Sequence, residues 1–410
     1  MIAVDYSSIM HRMIAVSVSC AKQNNPLLEG NLQTSDFINL AKHMVLEELL
    51  EIQTEFKSYG DLVLCLDDFS KRYWRRDYFP PYKQNRAKGR DESELNYAEI
   101  FKEFNELTDI IKKYLPWKVV SVPGAEADDL MLILAREYGS RGEKILLHTP
   151  DKDMIQAQIN NPMVQQYSAL TKKWIVPENK HDSMEHWILE HVFLGDDSDG
   201  VPRVIDDTVF SDSFVEHLKS FGVKELTPHE FKNSQMDKDK KKEILSSFSI
   251  YKTNRKGEDT ELDIYKKERF GPSNLQKILS GEYYNKLVLD DLKEQKAKAK
   301  EDKNSELVKE LNDKIKNYVP VEKSWEEFLD IYLDSHPSFR PNFERNKILV
   351  LEEGIPNNIW NETLAEYISA EAKYDKNNFT NYLDKYNMSS FKTNLSFFEK
   401  EELSIDNCGW

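Results

Sequence analysis

The stretch LVLCLD at residues 62–67 decides the fold, because five consecutive apolar residues end in a carboxylate. A short, continuous apolar run is typical of a strand that is buried on both faces of a parallel sheet. Largely apolar runs of the same kind stand at residues 2–4, 119–122 and 145–147, and longer stretches of helical character separate them. This alternation predicts an α/β fold with a central, mainly parallel sheet and helices on both faces.

Nine carboxylates follow these runs or lie in short acidic motifs downstream of them. They are Asp5, Asp67, Glu126, Asp128, Asp129, Asp151, Asp153, Asp196 and Asp199. Because ligands of such sheets bind at the carboxyl ends of the strands, these acids are expected to converge there. So many carboxylates repel one another unless cations neutralise them, and all-oxygen ligands favour Mg²⁺ or Mn²⁺. The set predicts a metal site, whereas any one acid taken alone is better explained as a turn former or a helix N-cap.

The motif EADD at residues 126–129 opens a predicted helix that continues through Arg136. On a regular helix Glu126 and Asp129 share a face, whereas Asp128 points well away from Glu126. Glu126 and Asp128 therefore reach one pocket only if Glu126 lies in the turn before the helix. Asp128 is the stronger candidate ligand of this motif.

Two further motifs place acids close together along the chain. Asp151 and Asp153 follow a strand at i and i+2, where extended backbone directs both side chains to one side. The alternative is that a helix starts there and one of the two acids caps it. Asp196 and Asp199 lie three apart at a helix end, and this loop is expected to close over a second metal ion.

A basic, aromatic segment follows the run at 62–66. Residues 71–90 contain eight Lys or Arg side chains against one acid, in a chain whose formal net charge is −16. Five aromatic residues are interleaved with them, which suits phosphate contacts and base stacking on single-stranded or frayed nucleic acid. The predicted contacts are Arg72, Tyr73, Trp74, Arg75, Arg76, Tyr82, Lys83, Arg86, Lys88 and Arg90.

Two basic residues of this segment, Lys83 and Arg86, are also candidates for stabilising the charge that develops on a phosphate during hydrolysis. The alternative interpretation is a cationic loop that only balances the acid cluster, with aromatic residues that belong to the core. After this segment, residues 94–115 have the pattern of a helix that could rise beside the active site.

Length, charge and cysteine content argue against several classes of protein. The 410 residues suffice for two or three domains, and the net charge of −16 argues against a general nucleic-acid coat or a membrane-surface protein. The three cysteines lack CxxC spacing, so neither a disulfide framework nor a zinc site is supported. No apolar stretch approaches the ~20 residues that span a bilayer. We therefore expect a soluble, cytoplasmic protein.

The second half of the chain is polar and mostly helical in pattern. Residues 348–351 (ILVL) are its one convincing strand candidate. Residues 282–319 contain neither Gly nor Pro, which predicts a solvated helix or a helical pair. An apolar stripe in this stretch, centred on Leu311, is expected to dock on the rest of the protein.

Five motifs together resemble the flap endonuclease and 5′-3′ exonuclease family, and within it the ribonucleases H of T-even-like bacteriophages. They are Asp67 followed by YWRRD at 73–77, YKQNR at 82–86, EADD at 126–129, DKD at 151–153, and GD at 195–196 with Asp199. The resemblance covers residues 1 to about 203 and returns weakly further on. It implies a PIN-like nuclease core, with the nine acids as ligands of two Mg²⁺ or Mn²⁺ ions and with Lys83 and Arg86 steering the phosphate.

The resemblance also implies an activity, with ribonuclease H, 5′-3′ exonuclease and flap endonuclease reactions. The substrates would be RNA:DNA hybrids and branched or duplex DNA with 5′ ends, and the role would be removal of RNA primers in phage DNA replication. A single-stranded DNA-binding protein and a sliding clamp are the implied partners of a monomeric enzyme. The sequence LSFF at 395–398 is either a docking motif for such a partner or part of a buried terminal helix.

Two domains are expected on the same grounds. Residues 1–203 would form the metal-dependent nuclease core, including an arch or bridge segment at about 71–115. Residues 204–410 would form a helical DNA-binding region of helix-three-turn-helix type, interrupted by polar insertions at about 206–265 and 290–337.

Two other functions remain open at this point. A PIN-like endoribonuclease uses a similar acid pocket with fewer ligands. A structure-specific DNA-binding replication factor without catalytic activity is the second alternative, although every predicted ligand position is still an acid.

Overall fold

The computed structural model of the protein describes residues 1–398 apart from 29, 71, 85–92, 160, 177–183, 206–207, 225–230, 232–233, 235, 249–250, 254–258, 262–264 and 268–269. The chain divides into two compact units. The first comprises Met1–His191, Asp196–Val201 and the chain from Arg345 on, and the second comprises Val192–Gly195 and Pro202–Glu344. The units therefore do not follow the expected boundary at residue 203, because the last part of the chain belongs with the first unit.

A six-stranded sheet forms the centre of the first unit. Its strands are β1 (Ile2–Asp5), β2 (Leu62–Leu66), β3 (Lys118–Ser121), β4 (Ile145–His148), β5 (Val164–Ser168) and β6 (Lys173–Ile175). Their order is β3-β2-β1-β4-β5-β6, and all neighbours are parallel except β5 and β6, which form an antiparallel hairpin. The predicted fold class is confirmed, and the strand order reverses between β1 and β4.

Helices cover both faces of this sheet. They are α1 (Tyr6–Asn24), α2 (Ile38–Glu55), α4 (Tyr97–Tyr114), α5 (Ala127–Ser140) and, after the second unit, α14 (Asn357–Ser369) and α15 (Lys376–Lys385). The first unit also contains the short helix α3 (Arg75–Tyr78) and the start of α6 (Met184–Leu194), which continues into the second unit. Alternate residues of β2 point to opposite faces: Leu64 packs in the cluster that contains α1, α2 and α4, and Val63 packs in the cluster that contains α5. Both faces are apolar, which explains why the strands are continuous apolar runs rather than alternating ones.

The end of the chain completes both clusters. Ile355 and Ile359 pack with α5 on one face, and Phe379 and Phe391 pack with α1 and α2 on the other. A 3₁₀ helix at Ser389–Phe398 places Phe398 in the same core, with 2% of its surface exposed. Of the two interpretations of LSFF, the buried one is therefore confirmed for Leu395 and Phe398.

The second unit contains short strands and several helices. They are β7 (Thr208–Phe210), β8 (Tyr251–Thr253), β9 (Asp259–Glu261), β10 (Tyr265–Lys267), α7 (Asp212–Ser220), α8 (Lys238–Ser247), α9 (Pro272–Leu279), α10 (Glu282–Glu301), α11 (Ser305–Lys316), α12 (Trp325–Ser335) and α13 (Arg340–Val350), which ends in the first unit. Strand β7 pairs with β10 and β8 pairs with β9, both antiparallel. Phenylalanines 210, 214, 231 and 248 form a small core of their own around α7 and α8.

The second half of the chain contains one predicted feature that the structure confirms and one that it contradicts. The helical pair predicted at 282–319 is confirmed as α10 and α11. The apolar stripe of α11 packs within this pair, on α10, rather than on the rest of the protein, and Leu311 is 2% exposed. The strand predicted at 348–351 is wrong, because residues 348–350 end helix α13. Burial of Leu349 and Val350 on one side of a helix outweighs the weak strand preference of a four-residue apolar run. No helix in the described part of the chain is long and apolar enough to cross a membrane.

Candidate active site

The predicted acids meet in one cavity at the carboxyl ends of the central strands. The cavity has a volume of about 360 Å³ and is named the acid cavity here. Six of the nine predicted carboxylates line it: Asp5, Asp67, Asp128, Asp151, Asp196 and Asp199. It lies at the ends of β1 and β4, between which the strand order reverses, and this is where open α/β sheets bind ligands.

Local backbone geometry positions the acids that follow β1 and β2. Asp5 ends β1 and caps α1, where its Oδ1 accepts a hydrogen bond of 2.8 Å from the amide of Ser8. Asp67 follows β2, and its Oδ1 accepts a bond of 2.8 Å from the amide of Ala127 at the start of α5. The strand-end acid of β2 is thereby tied to the helix that carries Asp128.

Helix α5 separates its acids as the sequence predicts. Glu126 is the N-cap residue and stands before the helix, which is the condition for Glu126 and Asp128 to approach one pocket. Asp128 points into the acid cavity, and its Oδ1 is buried and accepts no hydrogen bond from the described residues. A buried carboxylate oxygen without a donor is costly unless a cation or water satisfies it.

The acids after β4 adopt the alternative that the sequence left open. A 3₁₀ helix at Lys152–Gln158 starts there, and Asp151 caps it by accepting a bond of 2.8 Å from the amide of Asp153. Asp151 lines the acid cavity and, together with Asp153, an adjoining cavity of about 40 Å³. Oδ1 of Asp153 lies 3.0 Å from Nδ1 of His191. The expected extended backbone is wrong from Lys152 on, but both acids do border one small cavity.

Asp196 and Asp199 stand in a tight loop at residues 196–201. The amides of Asp196 and Val201 each donate to the carbonyl of the other, at 2.9 and 2.8 Å, and this closes the loop. Oδ1 of Asp196 accepts from the amides of Ser198 and Asp199 at 2.7 and 3.3 Å. The loop thus presents Asp196 and Asp199 to the same cavity as Asp5.

Buried basic side chains neutralise the two remaining acids, Glu126 and Asp129. Nη1 of Arg75 lies 2.9 Å from Oε2 of Glu126 and 2.8 Å from Oδ1 of Asp129, and the indole of Trp74 donates to Asp129 at 3.0 Å. Asp129 is fully buried and lines neither cavity. It is a structural member of this network rather than an acid of the cavity, and Glu126 borders only the smaller cavity.

Lys83 reaches into the acids from the basic segment. Its ammonium group pairs with Glu126 and lies 3.4 Å from Oδ2 of Asp199, while its amide donates to the carbonyl of Asp199 at 2.8 Å. The hydroxyl of Tyr82 lies 2.9 Å from Glu126 and 3.0 Å from Asp199. Lys83 adopts a positive φ of 56°, a conformation that costs a non-glycine residue free energy and is common at functional sites.

The pKa values of the cavity acids reflect this crowding. Burial and the neighbouring charge of Asp67 raise the pKa of Asp5 to about 7, and burial and the charge of Asp153 raise the pKa of Asp151 to about 6. Burial, together with Asp151 and Asp5, raises the pKa of Asp128 well above its usual range. Burial opposes ionisation of Glu126 as well, but the charges of Lys83 and Arg75 outweigh it and lower its pKa.

The donor set of the acid cavity fits a hard divalent cation by its chemistry. Among the described residues, no three carboxylate, histidine or cysteine side chains are placed closely enough to ligate one metal ion as they stand. Backbone amides hold one oxygen each of Asp5, Asp67 and Asp151, and carboxylates without a cation repel one another. Ligation therefore requires these side chains to turn toward one another.

The basic segment is folded more deeply than expected. Trp74 and Arg75 are each 5% exposed and belong to the network around Asp129, and Tyr73 and Tyr82 are also buried. Trp74 therefore belongs to the core, whereas Tyr73 lines the acid cavity and Arg75 and Tyr82 line the adjoining one. Their contacts with nucleic acid stay predictions. Arg72 and Arg76 keep solvent access. Arg86, Lys88 and Arg90 lie outside the described residues.

Sequence reasoning missed several residues of the site. Asp68 lines the acid cavity, and its Oδ2 accepts from the amide of Gly124 at 2.8 Å; its place directly after Asp67 was the available signal. His191 contacts Asp153 but is 38 residues away in the sequence, so no local spacing indicates it. The rings of His11 and Phe101 form an edge-to-face pair at the cavity wall, and only the fold brings α1 and α4 together.

Comparisons with known proteins identify the family of this chain. Residues 1–186 match the family model of the 5′-3′ exonuclease N-terminal, resolvase-like domain. The ribonuclease H of Enterobacteria phage T4 is 30% identical over 230 residues, which are 55% of this chain and 73% of that protein. The chain belongs to the 5′-3′ exonuclease family. A family member from Buchnera aphidicola (Acyrthosiphon pisum strain) is 29% identical over 157 residues, which are 37% of this chain and 52% of that 5′-3′ exonuclease.

A solved structure of the T5 5′-exonuclease, a protein with bound zinc ions, aligns with 90% of this chain and 98% of its own, at a TM-score of 0.43 and 14% identity. The stretch that matches the exonuclease family model contains Asp5, Asp67, Asp128 and Asp151, whereas the loop of Asp196 lies beyond it. Most of the acid cavity therefore lies within the family's N-terminal domain.

Proposed function

We propose that this chain is a Mg²⁺-dependent 5′-3′ nuclease with ribonuclease H, exonuclease and flap endonuclease activities. It hydrolyses phosphodiesters of RNA:DNA hybrids and of duplex DNA with 5′ ends, and it removes RNA primers in phage DNA replication. The observation that carries the proposal is the convergence of six carboxylates on one cavity at the switch point of the sheet. Membership of the 5′-3′ exonuclease family supports the same reaction.

Two groups of acids hold the metal ions in this proposal. Asp5, Asp67, Asp128 and Asp151 would bind one ion, and Asp153, Asp196 and Asp199 would bind the second. Mn²⁺ can take the place of Mg²⁺ at both positions. Glu126 and Asp129 support them through Arg75 and Lys83 rather than by ligation. Divalent ions at such a site activate water and offset negative charge on the phosphate.

The chain's own residues orient the substrate. Lys83 carries a buried positive charge beside Asp199, and a phosphate oxygen that enters the acid cavity offers it a partner in place of Glu126. Burial of the cavity walls strengthens that attraction relative to water. Arg72 and Arg76 extend the positive charge from this point to the surface, and Arg86 is proposed as a further phosphate contact.

The stretch from Arg72 to helix α4 is proposed as the arch past which a 5′ end enters. Helix α4 is amphipathic, with Ile100 and Phe104 in the core and its other face toward solvent. Phe101 of this helix lines the acid cavity, which links the arch to the site. We further propose that the second unit binds duplex DNA.

A substrate panel tests the proposal. Hybrid, nicked duplex and flap substrates, each labelled at the 5′ end, are incubated with and without Mg²⁺, and the product lengths are measured. We expect short 5′ products from all three substrates with Mg²⁺ and none with EDTA. Cleavage of structured single-stranded RNA without regard to 5′ ends would instead favour a PIN-like endoribonuclease, and binding without cleavage would favour a non-catalytic replication factor.

The proposed partners have a separate test. A single-stranded DNA-binding protein and a sliding clamp from a phage replication system are titrated against the full chain, and the change in product length on a primed template is measured. We expect either partner to lengthen the stretch removed in one binding event. Sedimentation of the free chain as a monomer is expected in the same buffer.

A further inference from the structure

We propose that the β5–β6 hairpin is a contact surface for a single-stranded segment of nucleic acid. The surface consists of Leu170, Lys172, Lys173 and Trp174 and is named the hairpin surface here. Nucleic acid as the partner rests on the proposed nuclease function, and the assignment of this hairpin rests on the observations below.

The hairpin lies at the same edge of the sheet as the acids. Strand β5 is parallel to β4, so its carboxyl end at Ser168 faces the edge where Asp151 follows β4. The amide of Thr149 donates to the carbonyl of Tyr167 at 3.1 Å, which fixes β5 beside the last residues before the acids. Residues 169–172 form the turn, and β6 then runs back antiparallel from Lys173.

A second cavity joins the hairpin to the acid cavity. It has a volume of about 220 Å³, and Ala169 and Leu170 of the turn form one side of it. Asp5, Ser8 and Pro150 line this cavity and the acid cavity alike, so the two are contiguous around Asp5. Its volume lies below the ~300–1,000 Å³ of drug-sized ligand sites, which suits one base or sugar of a strand rather than a free ligand.

The hairpin surface has the composition of protein surfaces that bind single-stranded nucleic acid. Lys172 and Lys173 are exposed, and neither forms an ion pair within the described residues. Trp174 is 46% exposed and Leu170 is 71% exposed, although Trp174 also packs edge-on against Phe56 and Tyr167. Lysines beside an exposed aromatic ring combine phosphate contacts with base stacking. At the rim of an acidic cavity, they also supply the positive charge that a polyanion needs.

The backbone at Lys172 adds an independent observation. Lys172 has a φ of 53°, a region that glycine or asparagine occupies at lower cost. Four non-glycine residues of the described chain have positive φ; Lys303 and Asn387 follow the ends of helices, where this conformation is ordinary. Of the remaining two, Lys83 lines the acid cavity, and Lys172 is the last residue of the hairpin turn whose Ala169 and Leu170 line the second cavity. Because glycine adopts this conformation without strain, Lys172→Gly removes the charge and leaves the turn intact.

Binding experiments with substitutions in the full-length protein test the hairpin surface. The probes are a duplex with a single-stranded oligo(dT) tail and the same duplex with blunt ends, measured by fluorescence anisotropy in EDTA at several salt concentrations. For Lys172→Gly/Lys173→Gln we expect affinity for the tailed probe to fall by about tenfold and its salt slope to decrease by roughly 1.4, at about 0.7 per lost contact with a single strand. Trp174→Leu is expected to weaken the same binding by at least about fivefold with no change of slope.

Thermal unfolding separates function from structure at Lys172. Lys172→Gly alone is expected to raise Tm, because glycine relieves the positive φ, and yet to weaken binding of the tailed probe. The matched control is Lys113→Gln/Lys144→Gln, which removes two exposed lysines that precede β3 and β4, at the amino ends of the strands, and is expected to bind like the wild type.

The outcomes distinguish this inference from the proposed function. Unchanged affinity of the hairpin variants for the tailed probe, or an equal loss for the blunt probe, would overturn the hairpin surface. Failure of the wild type to cleave any substrate with Mg²⁺ would overturn the nuclease proposal but leave the binding result in EDTA unaffected.

Discussion

Individual residues of the site differ in what surrounds them, although all nine acids look alike in the sequence. Oδ1 of Asp128 and Oδ1 of Asp129 are both buried without a hydrogen-bond donor among the described residues. Oδ1 of Asp129, however, lies 2.8 Å from the guanidinium of Arg75, and its Oδ2 accepts from the indole of Trp74. Helical geometry alone predicts that Asp128 and Asp129 face different surroundings. It does not predict the buried arginine, because Arg75 comes from a segment whose basic residues suggested surface contacts with nucleic acid.

The raised pKa of Asp5 leads to a prediction about stability without metal. Its folded-state pKa is about 7 and its ordinary value is 3.8, so the folded protein binds more protons between these values and stability falls as the pH rises through that window. Asp5→Asn removes the charge and keeps a good N-cap. In EDTA, we measure how much larger the free energy of unfolding of Asp5→Asn is than that of the wild type. We expect this difference to be about 2 kcal/mol larger at pH 8 than at pH 5, after allowing for partial solvation.

Denaturant unfolding of both proteins at the two pH values measures this difference. The variant is compared with the wild type at each pH, so that shifts of groups on which Asp5 has no influence, such as the lowered pKa of buried His148, cancel. If the variant exceeded the wild type in stability by the same amount at both pH values, or by more at pH 5, the charge repulsion described for the cavity would be contradicted.

His191 gives a second prediction at this scale. Its Nδ1 lies 3.0 Å from Oδ1 of Asp153, and such outer contacts orient metal-binding carboxylates. We expect His191→Ala to weaken Mg²⁺ binding by about tenfold, measured by calorimetry without nucleic acid. His191→Asn retains a hydrogen-bond donor and should recover most of the affinity. Binding by the alanine variant at the wild-type affinity would show that Asp153 needs no support from His191.

Secondary-structure elements were predictable where a pattern was long or flanked by clear signals. The runs that became β1, β2, β3 and β4, the helix after Glu126 and the helix α4 follow directly from apolar runs and periodicity. Strands β5 and β6 did not, because Val164–Ser168 (VQQYS) is neither a continuous apolar run nor a regular alternation, and β6 has only three residues. The helix at 340–350 was missed because its apolar residues are concentrated in its last turn.

The short helix α3 contributes to stability mainly through Arg75. Arg75 donates from Nε to the carbonyl of Leu349 at 2.8 Å and pairs with Glu126 and Asp129, so it joins α3, α5 and the end of α13. Because removal of one partner leaves buried charges uncompensated, we expect Arg75→Ala to lower the free energy of unfolding by about 3 kcal/mol or more.

Urea denaturation in EDTA measures this loss. The control is Arg72→Ala, which removes an exposed arginine from the same segment and should change stability by less than about 0.5 kcal/mol. Equal stability of the two variants would mean that the buried network contributes nothing beyond burial of its atoms.

The fold class of the whole molecule was predictable from the sequence, but its division into two units was not. Composition placed a boundary near residue 203, where the chain becomes polar, and the second unit does begin close to it. The return of the chain to the first unit at Arg345 depends on contacts of Ile359, Phe379 and Phe398 with the core of a sheet whose strands lie between residues 2 and 175. No local pattern reports such contacts.

Hydrolysis of a 5′-labelled RNA:DNA hybrid under single-turnover conditions tests most directly whether the acid cavity is the catalytic centre. Wild type is compared with Asp128→Asn and with Asp197→Asn, which makes the same change in an exposed acid that does not line the cavity. With Mg²⁺, we expect the Asp128 variant to cleave at least about a hundredfold more slowly than the other two. In EDTA it should unfold at a temperature no lower than theirs, because the substitution removes a buried charge. Cleavage by Asp128→Asn at the wild-type rate would contradict the account.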